Sequence, residues 1–236
     1  MLRPRNALAF GLLVLLPAAV SLLSYSVGNG SGVTAVVVGA LCSFALCDVW
    51  YFLRLGLTAL LALGARGPRC HLFATNSVTG FVGPTDIDRN GHCNNARVLR
   101  ACGFGRRDLW HRNGIWSVVT ALGVNFVVGA QTVRYRRELS FGHVYTMQSR
   151  LLCWDERAFY VEHRFVTKDA SSGAFVNAIV LVKNTVVGGL SPEQIVSKLP
   201  ARRADEAANP AMPADVLAWI QSNDVSSKML RAEAAS

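Results

Sequence analysis

The sequence predicts an α+β fold: one long helix packed on an antiparallel sheet, preceded by N-terminal transmembrane helices. Three observations carry that prediction. Apolar and polar residues alternate repeatedly between Thr132 and Lys183, the period of half-buried strands. A helix-start signal at Asn94 or Asn95 opens a run holding Val98, Leu99, Cys102, Phe104 and Leu109, the spacing of a helix with one buried face. Two nearly uncharged apolar stretches precede Arg54 in a chain of 236 residues that is 51% hydrophobic.

From the N-terminus, Ala7 to Leu23 is apolar except for Gly11 and Ser21, and Gly32 to Leu46 carries no charge. A bilayer core needs roughly 20 apolar residues in a helix. The second stretch reaches that length over Val33 to Leu53, whereas the first is shorter and contains Pro17. We read residues 1–69 as a membrane anchor, either a two-helix hairpin over about 7–25 and 33–53 or a signal anchor plus one helix. Arg3 and Arg5 before an apolar run also describe a cleavable signal, Met1 to Leu23, which would send the chain to the secretory pathway. Ser24-Tyr25-Ser26-Val27 offers no small-x-small site for that cleavage. The basic flanks Arg3, Arg5, Arg54, Arg66 and Arg69 favour cytosolic ends. Trp50-Tyr51 suits an interfacial belt, and Leu55 to Leu63 reads alternatively as a helix lying on the membrane surface.

Residues 70–190 read as the α+β domain. Ser77 to Val82 is strand-like and ends at Gly83-Pro84, and the polar loop and long helix follow. The β-branched run Ile115 to Val128 predicts a long strand broken near Gly123. Thr132 to Leu139 alternates, with Glu138 on the same side as Arg134 and Arg136. Tyr145 to Trp154 is the next strand, turning at Asp155-Glu156-Arg157. Phe159, Val161, His163 and Phe165 then alternate against Tyr160, Glu162, Arg164 and Val166, so His163 reads as a packed, hydrogen-bonded residue and His143, after Gly142, as exposed. Lys168 to Gly173 is a turn, and the nearly continuous apolar run Phe175 to Lys183 suits a central strand. One helix with five or six antiparallel strands must cover the sheet's apolar face with that helix. Residues 191–236 read as short helices and a tail. Ser191 and Gln194 form a capping box with Pro192 at the first helical position, predicting a helix through Leu199. Arg202 to Asn209 is a polar linker, and Pro213 to Gln221 a second short helix docking through Leu217 and Ile220, with Trp219 beside them.

The net charge of +9 is carried mostly by arginine. Arg97, Arg100, Arg106, Arg107 and Arg112 fall on the long helix, and Arg134, Arg136 and Arg137 on a strand. No aromatic-rich motif accompanies them, so nucleic acid is not expected as a partner. Anionic lipid headgroups, the phosphates of a coenzyme A substrate, or a plain solvated face remain open. The six cysteines show no C-x-x-C pair and no histidine at metal-ligand spacing, which reads as free thiols in a reducing compartment with no metal site. Cys93, next to His92, is a weak nucleophile candidate, because adjacent loop residues usually point apart.

The densest chemistry lies in Asp86-Ile87-Asp88-Arg89-Asn90-Gly91-His92-Cys93-Asn94-Asn95-Ala96-Arg97. Two carboxylates, an imidazole and three amides at that density need water, a partner or a ligand, since burying them unpaired costs a few kcal/mol each. Asp, Asn and Gly are also ordinary turn residues. The pattern Asp88-x-Asn90-x-His92-x-Asn94-Asn95 resembles that of plant acyl-carrier-protein thioesterases, and the opening Asp86-x-Asp88 that of the 4-hydroxybenzoyl-CoA thioesterase group, both hotdog-fold thioesterases. An animal branch of that family is also similar over Leu46-Cys47-Asp48-Val49-Trp50-Tyr51, His92 to Arg97, Trp154-Asp155-Glu156-Arg157-Ala158-Phe159-Tyr160, and Pro213-Ala214-Asp215 with Trp219-Ile220. Val98 departs from the aromatic residue that the coenzyme A enzymes usually place there.

The resemblance implies a hotdog domain, an antiparallel sheet wrapped around one long helix, and a membrane-anchored acyl-CoA (or other acyl-thioester) hydrolase without metal or redox cofactor. It implies Asp88 as base or nucleophile, Asn90 as the residue orienting water or carbonyl, and His92 as general acid or base. Asn94 and Asn95 would bind substrate where first-turn N–H groups meet an oxyanion. It further implies a homodimer with the acyl tunnel at the subunit interface, and an endoplasmic reticulum membrane with a cytosolic domain. The alternative expectation is a catalytically inactive hotdog module that binds acyl-CoA, lipid or a protein partner at the membrane.

Overall fold

The computed structural model describes residues 18–27, 32–46, 48–64, 70–169, 171, 173–199 and 208–235. The expected helix start before Ala18, turn residues 28–31 and linker residues 202–207 lie outside them. The chain divides into two compact units, Met1–Gly64 and Ala65–Ser236.

The first unit holds α1 (Ala18–Val27), α2 (Gly32–Leu46) and α3 (Val49–Gly64). Ser21 Oγ donates to the Ala35 carbonyl at 2.8 Å, tying α1 to α2. The helix expected to run continuously over 33–53 is instead two helices. Asp48 interrupts it by behaving as a cap: its Oδ1 accepts from Tyr51 N–H at 3.2 Å and its carbonyl from Phe52 N–H at 3.2 Å. A short carboxylate that satisfies first-turn N–H groups starts a helix more readily than it continues one. Among the described residues no single helix is long and apolar enough to cross a membrane; Gly32–Phe44 and Val49–Thr58 meet the criterion only as a pair bent by 86°. The unit exposes Leu22, Leu23, Val36, Leu41, Phe44, Trp50, Leu53 and Leu57.

The second unit is built on five strands, β1 (Asn76–Phe81), β2 (Asn125–Tyr135), β3 (Val144–Trp154), β4 (Ala158–Thr167) and β5 (Phe175–Val187). They form one antiparallel sheet in the order β1-β3-β4-β5-β2. The long helix α4 (Asn95–Arg112) lies across one face. It buries Val98, Ala101, Cys102, Gly105 and Leu109 at spacings of three and four. This is the hotdog arrangement. The core has two halves under the helix. Val98, Ala101 and Cys102 meet Met147, Phe165, Val180 and Val182 near its start. Leu109 and Trp110 meet Leu151, Phe159 and Val161 near its end. Each buried aliphatic or aromatic side chain contributes about 1.5–3 kcal/mol.

Between the halves lies a polar pair. His163 is fully buried, and its Nδ1 is 2.7 Å from Ser149 Oγ, its register partner on β3. Burial first, then the Arg106 guanidinium, push His163 down to about 3. The expectation of a packed, hydrogen-bonded histidine is thus met. His143 is exposed as expected, accepting from Ser140 N–H at 3.2 Å.

Three elements of the second unit differ from the sequence reading. Ile115 to Ala121 is a helix, α5, with β2 starting only at Asn125. Gly114, with φ at 84°, sits at its N-cap, a conformation that favours glycine. Asn113 Oδ1 accepts from Ile115 N–H at 3.1 Å, and Ile115, Val118 and Val119 are buried at helical spacing. That packing outweighs the β preference of the residues. β2 stops at Tyr135, short of the expected Leu139, because Arg136 and Arg137 N–H both donate to the Asn177 carbonyl, at 2.8 and 3.2 Å. The last helix runs over Ala214–Glu233 as α7, longer than expected. It packs on the opposite sheet face through Val216, Trp219 and Ile220 against Tyr160, Ala158 and Leu181; Leu217, an expected docking residue, is exposed. The expected capping box is present at α6 (Pro192–Ser197), whose Ile195 and Val196 join the core.

Candidate active site

The polar loop closes on itself before it meets the helix. Asp86 Oδ2 accepts from Gly83 N–H at 3.0 Å, and the Asp86 carbonyl from Asn94 N–H at 2.8 Å. Asp88 organises the tip. Its Oδ1 accepts from Asn90 N–H at 2.9 Å, its carbonyl from Gly91 N–H at 3.0 Å, and its N–H donates to the His92 carbonyl at 3.0 Å. Gly91, with φ at 80°, turns the chain back. Asn94 is the N-cap of α4, its Oδ1 accepting from Ala96 N–H at 2.9 Å.

A second segment is stitched to this loop. Cys93 N–H donates to the Leu139 carbonyl at 2.7 Å and Phe141 N–H to the Gly91 carbonyl at 3.3 Å, so His92 pairs with Ser140 as an isolated β-bridge. The segment is also held from β5. Asn177, almost fully buried, donates from Nδ2 to the Glu138 carbonyl at 3.2 Å, while its Oδ1 accepts from Thr167 Oγ1 at 2.8 Å.

A groove of about 300 Å³ opens between the two segments, lined by His92, Cys93, Asn95 and Val98 on one side and Tyr135 to Leu139 with Ala178 on the other. Tyr135 OH donates to the Asn95 carbonyl at 3.0 Å across it. The His92 ring lies between two carboxylates: Nδ1 is 3.7 Å from Asp88 Oδ1, and Nε2 is 3.5 Å from Glu138 Oε2. Ser140 Oγ donates to the other Glu138 oxygen at 3.3 Å.

Of the five residues expected in the site, His92 and Asn95 line the groove. Asp88 stands behind His92, three-quarters covered and outside the lining; Asn90 is exposed at the tip; and the Asn94 side chain is occupied in capping. Cys93 lines the groove as a protonated thiol: burial, then Asp86, push it up to about 11, which suits a packing role rather than a nucleophile. Tyr135 and Glu138 were not anticipated here, and Arg136 and Arg137 were read only as part of a basic strand. In sequence they are the polar end of an alternating strand, and the two N–H groups that share the Asn177 carbonyl of β5 end that strand beside the loop.

Several arginines among the described residues are engaged within the domain. Arg137 binds Asp169 at 2.7 Å and lies over the Phe175 ring at 3.7 Å, and Arg136 covers the same ring at 4.9 Å. On α4, Arg112 pairs with Asp108 at 3.2 Å and Arg107 covers Trp116 at 5.9 Å. Arg106 turns a guanidinium nitrogen inward, where burial lowers its basicity. The helix therefore presents less free positive charge than its composition suggests.

Chemically, the groove offers an imidazole, a carboxylate and an apolar wall of Val98, Leu139 and Ala178 at the start of a long helix. First-turn N–H groups and the helix dipole favour negative charge at that point. Protein THEM6 of Xenopus laevis is 39% identical over 202 residues, covering 84% of this chain and 93% of that protein. Protein THEM6 of Danio rerio is 40% identical over 195 residues, covering 83% and 93%. Among solved structures, the probable thioesterase YbaW from Escherichia coli is similar with a TM-score of 0.43 and 21% identity, over 48% of this chain and 81% of that one. The family model of the thioesterase-like superfamily matches residues 82–220, from the end of β1 through the groove to α7, and the chain belongs to that superfamily.

Proposed function

We propose that this chain hydrolyses acyl-CoA, or another acyl thioester, in the groove at the start of α4. The observation that carries this reading is the His92 ring inside an apolar-walled groove, between two carboxylates and next to the first turn of the long helix. Thioester hydrolysis needs a base for water, an acid for the leaving sulfur, and donors for the oxyanion. His92 supplies the imidazole that can take or give a proton. The Asn95 N–H at the start of α4 supplies the oxyanion site, and Val98, Leu139 and Ala178 receive the start of the acyl chain. Asp88 belongs to the site through its contact with His92, and Asn90 and Asn94 through the shape of the loop.

The proposal extends to assembly and location. β2 is an edge strand that exposes Val127, Val128 and Tyr135, which supports pairing with a second copy into a homodimer. The apolar N-terminal unit and its basic flanks support attachment to lipid with a cytosolic domain, and we propose the endoplasmic reticulum as that membrane. A second reading, a binding module without turnover, is favoured by one observation: the Asp88 carboxylate is spent within its own turn and does not line the groove.

Turnover of an acyl-CoA series by the purified full chain separates the two. The hydrolase reading expects measurable kcat and a loss of about 10²–10⁴-fold on His92→Gln with an unchanged melting temperature. Acyl-CoA binding without release of free thiol at any chain length would establish the module instead.

A further inference from the structure

We propose that Glu138 is the carboxylate that acts on the attacking water, paired with His92, and that Asp88 is a positioning residue acting through the imidazole. The inference rests on the hydrolase reading and assigns its base. Both Glu138 and His92 line the groove, whereas Asp88, the carboxylate of the loop pattern, does not. Glu138 Oε2 faces His92 Nε2 at 3.5 Å, while Ser140 Oγ holds Oε1 at 3.3 Å. A separation at the outer edge of hydrogen bonding is common before substrate closes a site.

The pairing is built into the backbone. The Cys93–Leu139 and Phe141–Gly91 hydrogen bonds fix 139–141 against 91–93, and buried Asn177 holds the Glu138 carbonyl from β5. Three separate tethers thus set where the Glu138 side chain starts. A glutamate on a freely solvated strand end would need none of them.

The chemistry closes on these groups. Glu138 takes a proton from water as the water oxygen bonds to the thioester carbonyl carbon. The carbonyl electron pair moves onto oxygen, facing the Asn95 N–H at the start of α4. When the oxyanion collapses, the carbon–sulfur bond breaks and its electron pair leaves on sulfur. His92 gives its Nε2 proton to that sulfur and recovers one from Glu138. The products are a carboxylic acid and a thiol, with the enzyme unchanged. Asp88, facing Nδ1, keeps the ring turned toward Glu138.

The test measures kcat and KM of the full chain on an acyl-CoA that the wild type turns over. Glu138→Gln is expected to lower kcat by about 100-fold or more, with KM within about threefold and melting temperature unchanged. Glu138→Asp recovers part of the rate, which a purely structural role would not do. Asp88→Asn lowers kcat by about tenfold, and Asp88→Glu restores most of it. The pH profile is read against the groups around the pair, namely Asp88, Cys93, Tyr135, Arg136 and Arg137, and loss of its acidic limb in Glu138→Gln supports the assignment. An active wild type whose Glu138→Gln variant keeps full kcat overturns the proposal while leaving the hydrolase reading intact. A wild type that binds acyl-CoA without turnover overturns both.

Discussion

Acid should destabilise this domain through one residue, His163. The ring is fully buried between β4 and α4, with Nδ1 bonded to Ser149 Oγ and no described partner for Nε2. The charged group that faces it from the helix is Arg106, which adds to burial in disfavouring the protonated ring. In the unfolded chain the imidazole binds a proton below about pH 6.5, whereas in the folded domain it resists until about 3. Between those values the unfolded state holds the extra proton, so stability falls as pH falls, by about 1.4 kcal/mol per pH unit. At pH 5 the loss is about 2 kcal/mol relative to neutrality, a sizeable part of the about 5–15 kcal/mol typical of a domain. The perturbation is His163→Asn, which keeps a polar atom near Ser149 and does not titrate. The assay is urea unfolding at pH 7.5, 6 and 5, followed by tryptophan emission, since Trp110 and Trp154 are buried in the core. The variant is less stable at pH 7.5, yet its loss between pH 7.5 and 5 is smaller than the wild type's by about 2 kcal/mol. Parallel pH dependences in the two proteins would refute the reasoning, whatever their absolute stabilities.

Two further outcomes follow from the same packing. On α4, Gly103 has open space where a Cβ would stand, whereas a Cβ at Gly105 would lie 2.7 Å from Ser149 Oγ and 2.6 Å from Met147 Cε. Gly103→Ala therefore raises stability by about 0.5–1 kcal/mol, and Gly105→Ala lowers it by about 1–3 kcal/mol, because the Met147 tip can yield while the Ser149 hydroxyl is tied to His163. Thermal unfolding of the two variants in parallel checks the opposite signs. Asn177→Ala removes the donor to the Glu138 carbonyl and the acceptor for Thr167, costing about 1–3 kcal/mol. Turnover should fall beyond what that stability loss explains, measured well below the melting temperature.

Much of this architecture was legible because it is written locally. β4 places Phe159, Val161, His163 and Phe165 at every second position, the Ser191–Gln194 capping box names its own helix start, and α4 shows both an N-cap and a buried stripe. The misread parts are those where tertiary packing decides. Ile115 to Ala121 is β-branched enough to read as a strand, and only its burial against α4 and α6 makes it a helix. Val216 and Leu217 are neighbours on α7, and one residue of rotation settles which docks. The break at Asp48 depends on a side chain choosing to cap rather than to point outward. In the site, the loop supplied His92 and Asn95, but Glu138 arrives from a strand end that nothing in its neighbourhood marks as functional.

The two halves of the core divide labour along α4. Its C-terminal half, with α5 and α6, is closed by Leu109, Trp110, Ile115 and Ile195 and touches no part of the groove. Its N-terminal half carries Val98 on the groove wall and shares its packing with Leu139 and Ala178, which line the groove too. The Ser149–His163 pair lies between them as a polar seam of fixed geometry. A packing change near Ile195 is therefore expected to act on stability alone. A change near Leu139 shifts the turn that carries Glu138 and so reaches the chemistry as well. The long helix is thus a structural beam at one end and a wall of the site at the other, and the residues 136–141, held by Asn177 and by the loop ladder, are where the two roles meet.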